Sequence, residues 1–220
     1  MDFEKALSFA EKYSREYLLY LLDFFRRKRG DLRTDVEQPE GKIVVYAMIS
    51  ASIGLFLSYK FVSGVDLTAQ AFFIELFVKF AYWLAIALFL HLILLVTRAQ
   101  AAFMTALLVT LTVMPVAYAL GGYAAYLMNK LSWFWVDLDA NAKAPSNDAN
   151  FGAVLTQHDY AYFGAVLTQL VIAFIYFPRL LSRDGALARW RVAVASMGVS
   201  LFIIMVQLVA LAGQIERQKV

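Results

Sequence analysis

Long apolar runs dominate the pattern along this chain and fix its architecture first. A bilayer core is about 30 Å thick and an α-helix rises about 1.5 Å per residue, so a crossing helix needs about 20 mostly apolar residues. Five segments meet that length: 43–62, 72–97, 101–128, 160–177 and 192–215. The second is broken only by Glu75, Lys79 and His91, and the third carries no charge. Arg98, Ala99 and Gln100 alone separate the second from the third, which predicts a tight antiparallel hairpin. Residues 2–29 follow another pattern. Phe3, Leu7, Ala10, Tyr17, Leu18, Leu21, Leu22 and Phe25 recur every three or four positions with charges between them, which predicts an amphipathic helix. Asp2 and Glu4 lead it and Arg26, Arg27, Lys28 and Arg29 close it, complementing the helix dipole, with Gly30 as a stop. Residues 31–42, with Pro39 and Gly41, read as a linker. The predicted fold is all-α: an amphipathic helix and linker over 1–42, then a five-helix membrane bundle over 43–220 with an outer loop at 129–159.

Composition strengthens this reading. The 220 residues are 61% hydrophobic and 17% charged, whereas soluble domains average about 45–50% apolar and about 25% charged. Disorder needs the opposite balance. The absence of cysteine excludes a disulfide scaffold and a thiolate metal site. The charge is also unevenly placed: positions 1–42 hold eighteen of the thirty-seven charged residues, leaving a nearly charge-free bundle.

Lys and Arg in the short flanks set the orientation. With the N-terminus cytoplasmic, fourteen fall on the cytoplasmic side and six on the other. The short loop with Arg179, Arg183, Arg189 and Arg191 adds weight, because it adjoins two spans. The N-terminus has no apolar signal-peptide core, so the first span is expected to act as its own insertion signal. These features predict a multi-pass protein of a bacterial cytoplasmic (inner) membrane, N-terminus cytoplasmic and C-terminus outside. Arg26 to Arg29, Arg179, Arg183, Arg189 and Arg191 are the candidate contacts with anionic lipid or a partner. The N-terminal helix has three readings: in the membrane plane, docked under the bundle, or docked on a partner subunit.

Helices in lipid associate through small residues. Ser50, Gly54 and Ser58 line one face of the first span, with Ala47 and Ala51 beside them, and Ala117, Gly121 and Ala125 repeat that spacing in the third. These faces predict a compact bundle with the first and third spans central. Pro115 removes a backbone hydrogen bond mid-span, so it is a candidate hinge or static kink, and Thr110, Thr112 or a neighbouring helix is expected to serve the freed carbonyl. Gly121 and Gly122 add a second weak point. Glu75 and Lys79 stand four apart in the favourable order and are expected to neutralise each other near the outer interface. His91 is the candidate intramembrane polar site, and a hydrogen bond to a neighbouring helix is the simplest role for it. Gln169 and Gln207 are placed to bond across helices.

The outer loop opens with Trp133, Phe134 and Trp135, which favour the headgroup level, and continues with a polar run at 140–150. The heptapeptide FGAVLTQ then occurs twice, at 151–157 and 163–169. Twelve residues turn a helix by about 120° beyond whole turns, so the copies cannot share a face. A local duplication that lengthens the fourth helix outward, carrying His158 and Asp159, is the plain reading. Two such residues make no metal cage.

No phosphate-loop, dinucleotide, zinc-protease or nucleophile-elbow motif is present. The net charge of +3 reflects topology and gives no reason to expect a nucleic-acid partner. The layout resembles the Yip1-like group, carried here by FFRRKRGDLRTDVEQPEGKIVVYAMISASIGLFL at 24–57 and Gly121, Gly122 and Tyr123. The resemblance implies a five-span protein with cytoplasmic N-terminus and outward C-terminus that organises membranes or partner proteins and does no chemistry; it transfers no site residues. The expected function is a non-enzymatic scaffold or accessory subunit of a larger membrane complex, with no cofactor or metal. Its partners would be the lipid bilayer and other membrane subunits, met through the N-terminal helix and loop 178–191. The alternative is a small transporter component in which Pro115 and the paired glycines move.

Overall fold

The computed structural model describes residues 16–22, 24–25, 41–63, 67–97, 103–142, 157–181 and 189–217. Among them the regular structure is all helical. α1 spans Gly41–Ser58 and runs on into a π-helical turn, Tyr59–Ser63. α2 spans Ala69–Val96, α3 Phe103–Ala142, α4 Gln157–Leu181 and α5 Arg189–Arg217. Residues 16–22, 24 and 25 are also helical. The remainder of the expected 2–29 helix, Arg26 to Arg29 among it, lies outside the described residues, as do the turn at 98–100, the polar residues 143–150, the first six residues of the repeat and residues 182–188 with Arg183.

Four helical stretches are long and apolar enough to cross a membrane: Ile43–Val62, Ala69–Val96, Phe103–Leu131 and Tyr160–Leu181. A shorter apolar stretch follows at Trp190–Val206. The outward surface is apolar too. Phe73, Phe77, Leu92 and Val96 on α2 and Phe163, Leu167 and Phe174 on α4 are more than half exposed. So large an apolar surface is costly in water and is what a helix facing lipid presents.

Several helix ends differ from the sequence reading, each for a local reason. α2 starts at Ala69, three residues before position 72, because Thr68 caps it: its hydroxyl accepts from the Ala71 amide at 3.2 Å. Thr97 closes the helix by donating to the Ile93 and Leu94 carbonyls at 2.9 and 3.1 Å. α3 does not stop at 128 but runs to Ala142, so the first part of the expected 129–159 loop is helix. No glycine or proline occurs between Gly122 and Pro145 to halt it. At forty residues α3 is about 60 Å long, about twice the thickness of a bilayer core. α4 passes through Pro178 to Leu181, because Phe177, Leu180 and Leu181 are fully buried and tertiary packing holds the last turn.

The helices alternate in direction. His91 meets Phe103 while Trp83 meets Tyr118, so α2 and α3 are antiparallel. Gly54 lies against Tyr118 and Phe61 against Tyr126, so α1 and α3 are parallel. Gly121 meets Gln169 and Met128 meets Gly164, so α4 returns antiparallel to α3. Gly198 faces Ile93 and Phe202 stacks on Phe89, which sets α5 antiparallel to α2. α3 is the central helix: its apolar stretch is 61% buried, against 28 to 39% for those of α1, α2 and α4. The main core joins Leu55 of α1, Trp83, Leu90 and Leu94 of α2, Val109 and Met114 of α3, Phe177 of α4 and Ile203 of α5. α1 is no more buried than α4, so only one of the two spans expected at the centre occupies it.

Candidate functional site

The small-residue faces bring α1 and α3 into backbone contact. A Cβ at Gly54 would lie 2.6 Å from Cδ1 of Tyr118 and 2.9 Å from its carbonyl. Gly122 completes the crossing, 3.3 Å from the Gly54 backbone by the same measure. Ser50, Ala117 and Ala125 are buried, and Ser58 is half-buried. Gly121 faces the other way, onto the Ala165 carbonyl and the Gln169 side chain of α4.

Where α1 leaves this crossing it changes pitch. The π turn packs one more residue into the turn than an α-helix holds, a feature that recurs at functional sites. Here Leu55, Ser58, Tyr59 and Val62 all line one cavity of about 480 Å³. α2 contributes Glu75, Lys79, Tyr82 and Trp83, α3 contributes Tyr118, and α4 contributes Tyr162, Ala165, Val166 and Gln169. The cavity lies toward the end of the bundle where α1 finishes and α2 begins, away from the N-terminal segment.

Glu75 and Lys79 both face this cavity, but each turns to a different helix. The Tyr59 hydroxyl donates to Glu75 Oε1 at 3.3 Å. Lys79 Nζ sits 5.2 Å from the centre of the Tyr118 ring, a cation–π contact. The two also remain one helical turn apart and attract each other, so the contacts with α1 and α3 add to the expected mutual neutralisation. Because α2 begins at Ala69, Lys79 also lies about 15 Å along the helix from its start.

The hinge and polar candidates take specific positions. Pro115 is buried in the first third of α3, and the helix continues through it. The threonines expected to serve its freed carbonyl are engaged elsewhere: Thr110 donates to the Ala106 carbonyl at 2.8 Å and Thr112 to the Leu108 carbonyl at 2.7 Å. The His91 ring meets Phe103 edge-on at 5.6 Å, and its Nδ1 is buried without a hydrogen-bond partner among the described residues. Among the described residues no group of three His, Asp or Glu stands close enough to hold a metal ion.

At the opposite end, the N-terminal segment docks on the bundle. Tyr17 and Ser50 share a buried hydrogen bond of 2.8 Å. Tyr20 stacks on Tyr46 with ring centres 4.5 Å apart, and the Tyr46 hydroxyl donates to Glu16 at 3.5 Å. Phe24 is completely buried and stacks on Tyr176 of α4 at 4.3 Å. The guanidinium of Arg179 lies over the Tyr176 ring at 5.2 Å, and that of Arg191 over Trp190 at 5.4 Å. Leu18, Leu22 and Phe25 form an exposed stripe on the outer side of the segment. Of the three readings of this segment, the described part shows docking against the bundle.

The cavity escaped the sequence reading because Glu75 and Lys79 are a familiar local pair, whereas Tyr59 and Tyr118 reach them from other helices. One signal was present: four of the long apolar segments carry a tyrosine that reaches this site, at 59, 82, 118 and 162. Against known protein families, curated proteins and solved structures, the chain has no match.

Proposed function

We propose that this chain is a five-span protein of a bacterial cytoplasmic membrane, with its N-terminus cytoplasmic and its C-terminus outside, acting without chemistry as a scaffold or accessory subunit. α5 supports the fifth span. It buries Val192, Ala195, Val199 and Ile203 on one face and exposes Val194, Met197, Leu201 and Met205 on the other, so both faces are apolar. The alternating helix directions and the excess of Lys and Arg at the α1-start end support the threading. The Yip1-like layout agrees with this arrangement.

One observation carries the scaffold reading: Phe24 stacked on Tyr176 beside Arg179. The contact joins the N-terminal segment to the cytoplasmic end of α4, merging the two expected contact regions into one surface. The basic run at 26–29 follows directly in the sequence, and the exposed Leu18, Leu22 and Phe25 stripe flanks the surface. A basic and apolar face of this kind suits a partner subunit at the boundary of lipid and cytoplasm. The test is extraction in mild detergent followed by identification of co-purifying chains. A stoichiometric partner that is lost on deleting residues 1–29 and on Phe24→Ala is expected; purification of the wild type as a lone monomer refutes the reading.

The cavity favours a second reading, a small transporter component. Its moving part would include Pro115, so proteoliposomes should show a flux that Pro115→Ala reduces. No flux of any solute removes that reading.

A further inference from the structure

The cavity displays two opposite charges one helical turn apart, about 6 Å along α2. Neither is fully satisfied by the protein. Among the described residues the hydrogen bond on Glu75 is the long one from Tyr59, so the carboxylate keeps most of its acceptor positions. Lys79 faces the π surface of Tyr118, which accepts none of its three N–H donors conventionally. The hydroxyl of Tyr82, on the same wall, is buried with no hydrogen-bond partner among the described residues. The Gln169 amide borders the same space. Charged groups inside a bundle are expensive unless they are paired and hydrogen-bonded, and they mark functional sites by default. A volume of about 480 Å³ falls in the range of small-molecule sites.

We propose that this cavity binds a primary-amine zwitterion, its anionic group on Lys79 and its ammonium on Glu75. Phosphoethanolamine lipid head groups and short free amino acids share this chemistry: an anion and a primary ammonium a few bonds apart. The ammonium donates to the Glu75 carboxylate. The phosphate or carboxylate accepts from Lys79 Nζ, and the Tyr82 hydroxyl and Gln169 amide supply neutral hydrogen bonds. Each charge of the ligand meets its opposite, so the filled site is neutral and saturated. Head-group selectivity follows. A quaternary ammonium has no N–H to offer Glu75, and a purely anionic head group leaves Glu75 facing like charge.

The test uses the full-length chain in nonionic detergent, with bound molecules counted by native mass spectrometry. The probes are dioleoyl phosphatidylethanolamine, the matching phosphatidylcholine and phosphatidylglycerol, free phosphoethanolamine and glycine. Wild type is expected to hold one primary-amine zwitterion at least about tenfold more tightly than phosphatidylcholine or phosphatidylglycerol. Lys79→Met should weaken that binding about tenfold, and Glu75→Gln should shift the preference toward phosphatidylglycerol, a change that loss of packing would not produce. If Lys79→Met does not fold, the Glu75→Gln shift and the charge-swapped Glu75→Lys/Lys79→Glu protein decide; the swap should keep the preference for zwitterions. Binding of the ethanolamine lipid alone assigns the ligand to the bilayer, and binding of the free probes alone assigns it to solution; both support the site. Equal retention of all three lipids, unmoved by Glu75→Gln and with neither free probe bound, overturns the proposal.

Discussion

The hydroxyl of Tyr17 lies 2.8 Å from Oγ of Ser50, a residue seven positions beyond the start of the first apolar stretch. Seven residues of helix correspond to about 10 Å, so the N-terminal segment lies alongside α1 and not merely beneath it. Both hydroxyls are buried, which makes this bond sensitive to removal of one partner. Ser50→Ala should destabilise the protein by about 1–3 kcal/mol, because Tyr17 is left unsatisfied. The double variant Tyr17→Phe/Ser50→Ala should recover most of that loss. Thermal unfolding in detergent across the four proteins of the cycle measures the coupling; additive losses would show that the bond carries no net stabilisation.

The same contact sets a pH response. Burial pushes the Tyr17 hydroxyl above its usual value of 10.0; the Ser50 hydrogen bond works the other way and the nearby Tyr123 adds to the rise. A phenol with a raised value in the folded state is held neutral there. Its contribution is fully present below pH 10.0 and disappears as the pH climbs through the folded-state value. Protease sensitivity of the N-terminal segment should be flat through neutral pH and rise only above about pH 10. Tyr17→Phe has no phenolic proton and should lose that alkaline step.

Two glycines that both face close neighbours should behave differently. At Gly54 a new Cβ would meet Tyr118 backbone atoms at 2.9 Å, and a backbone cannot step aside. At Gly198 the nearest atom is Cδ1 of Ile93 at 2.5 Å, the free end of a flexible side chain. Gly54→Ala should cost about 1–3 kcal/mol by overpacking, and Gly198→Ala under about 1 kcal/mol. Melting temperatures in detergent would rank them, and equal effects would mean that α1 and α3 separate more easily than their contact suggests.

The proposed threading can be read chemically, because the chain has no cysteine to confuse labelling. Ser146→Cys should react with a membrane-impermeant maleimide on intact cells. Ser182→Cys should react only after lysis. The reverse pattern would invert the orientation drawn from the positive-inside bias.

The spans were legible in the sequence because length and apolarity are local properties, and each apolar run of α1 to α4 became a helix of membrane length. Helix ends were less legible. Thr68 was visible as a residue but not as a cap, and residues 129–142 looked like loop because polarity, unlike glycine or proline, does not stop a helix. The small-residue stripes marked contact surfaces without naming partners; Gly54 found Tyr118 and Gly122 only through the crossing of two helices. The cavity was least legible. Its Glu75–Tyr59 and Lys79–Tyr118 contacts join residues far apart in sequence, and the π turn that presents Tyr59 has no compositional signature.

That turn separates two quantities which usually move together. Its surplus residue widens the turn, while the two flanks keep nearly the facings of an unbroken α-helix. Deleting one residue within Tyr59–Ser63 should therefore close the turn to α-helical pitch with the length of α1 and the facing of its flanks almost unchanged, a change any bilayer absorbs. What would change is the turn itself, whose width brings Tyr59 and Val62 to the same cavity. The fit of this helix to a membrane and the wall it gives the cavity are thus set by different residues.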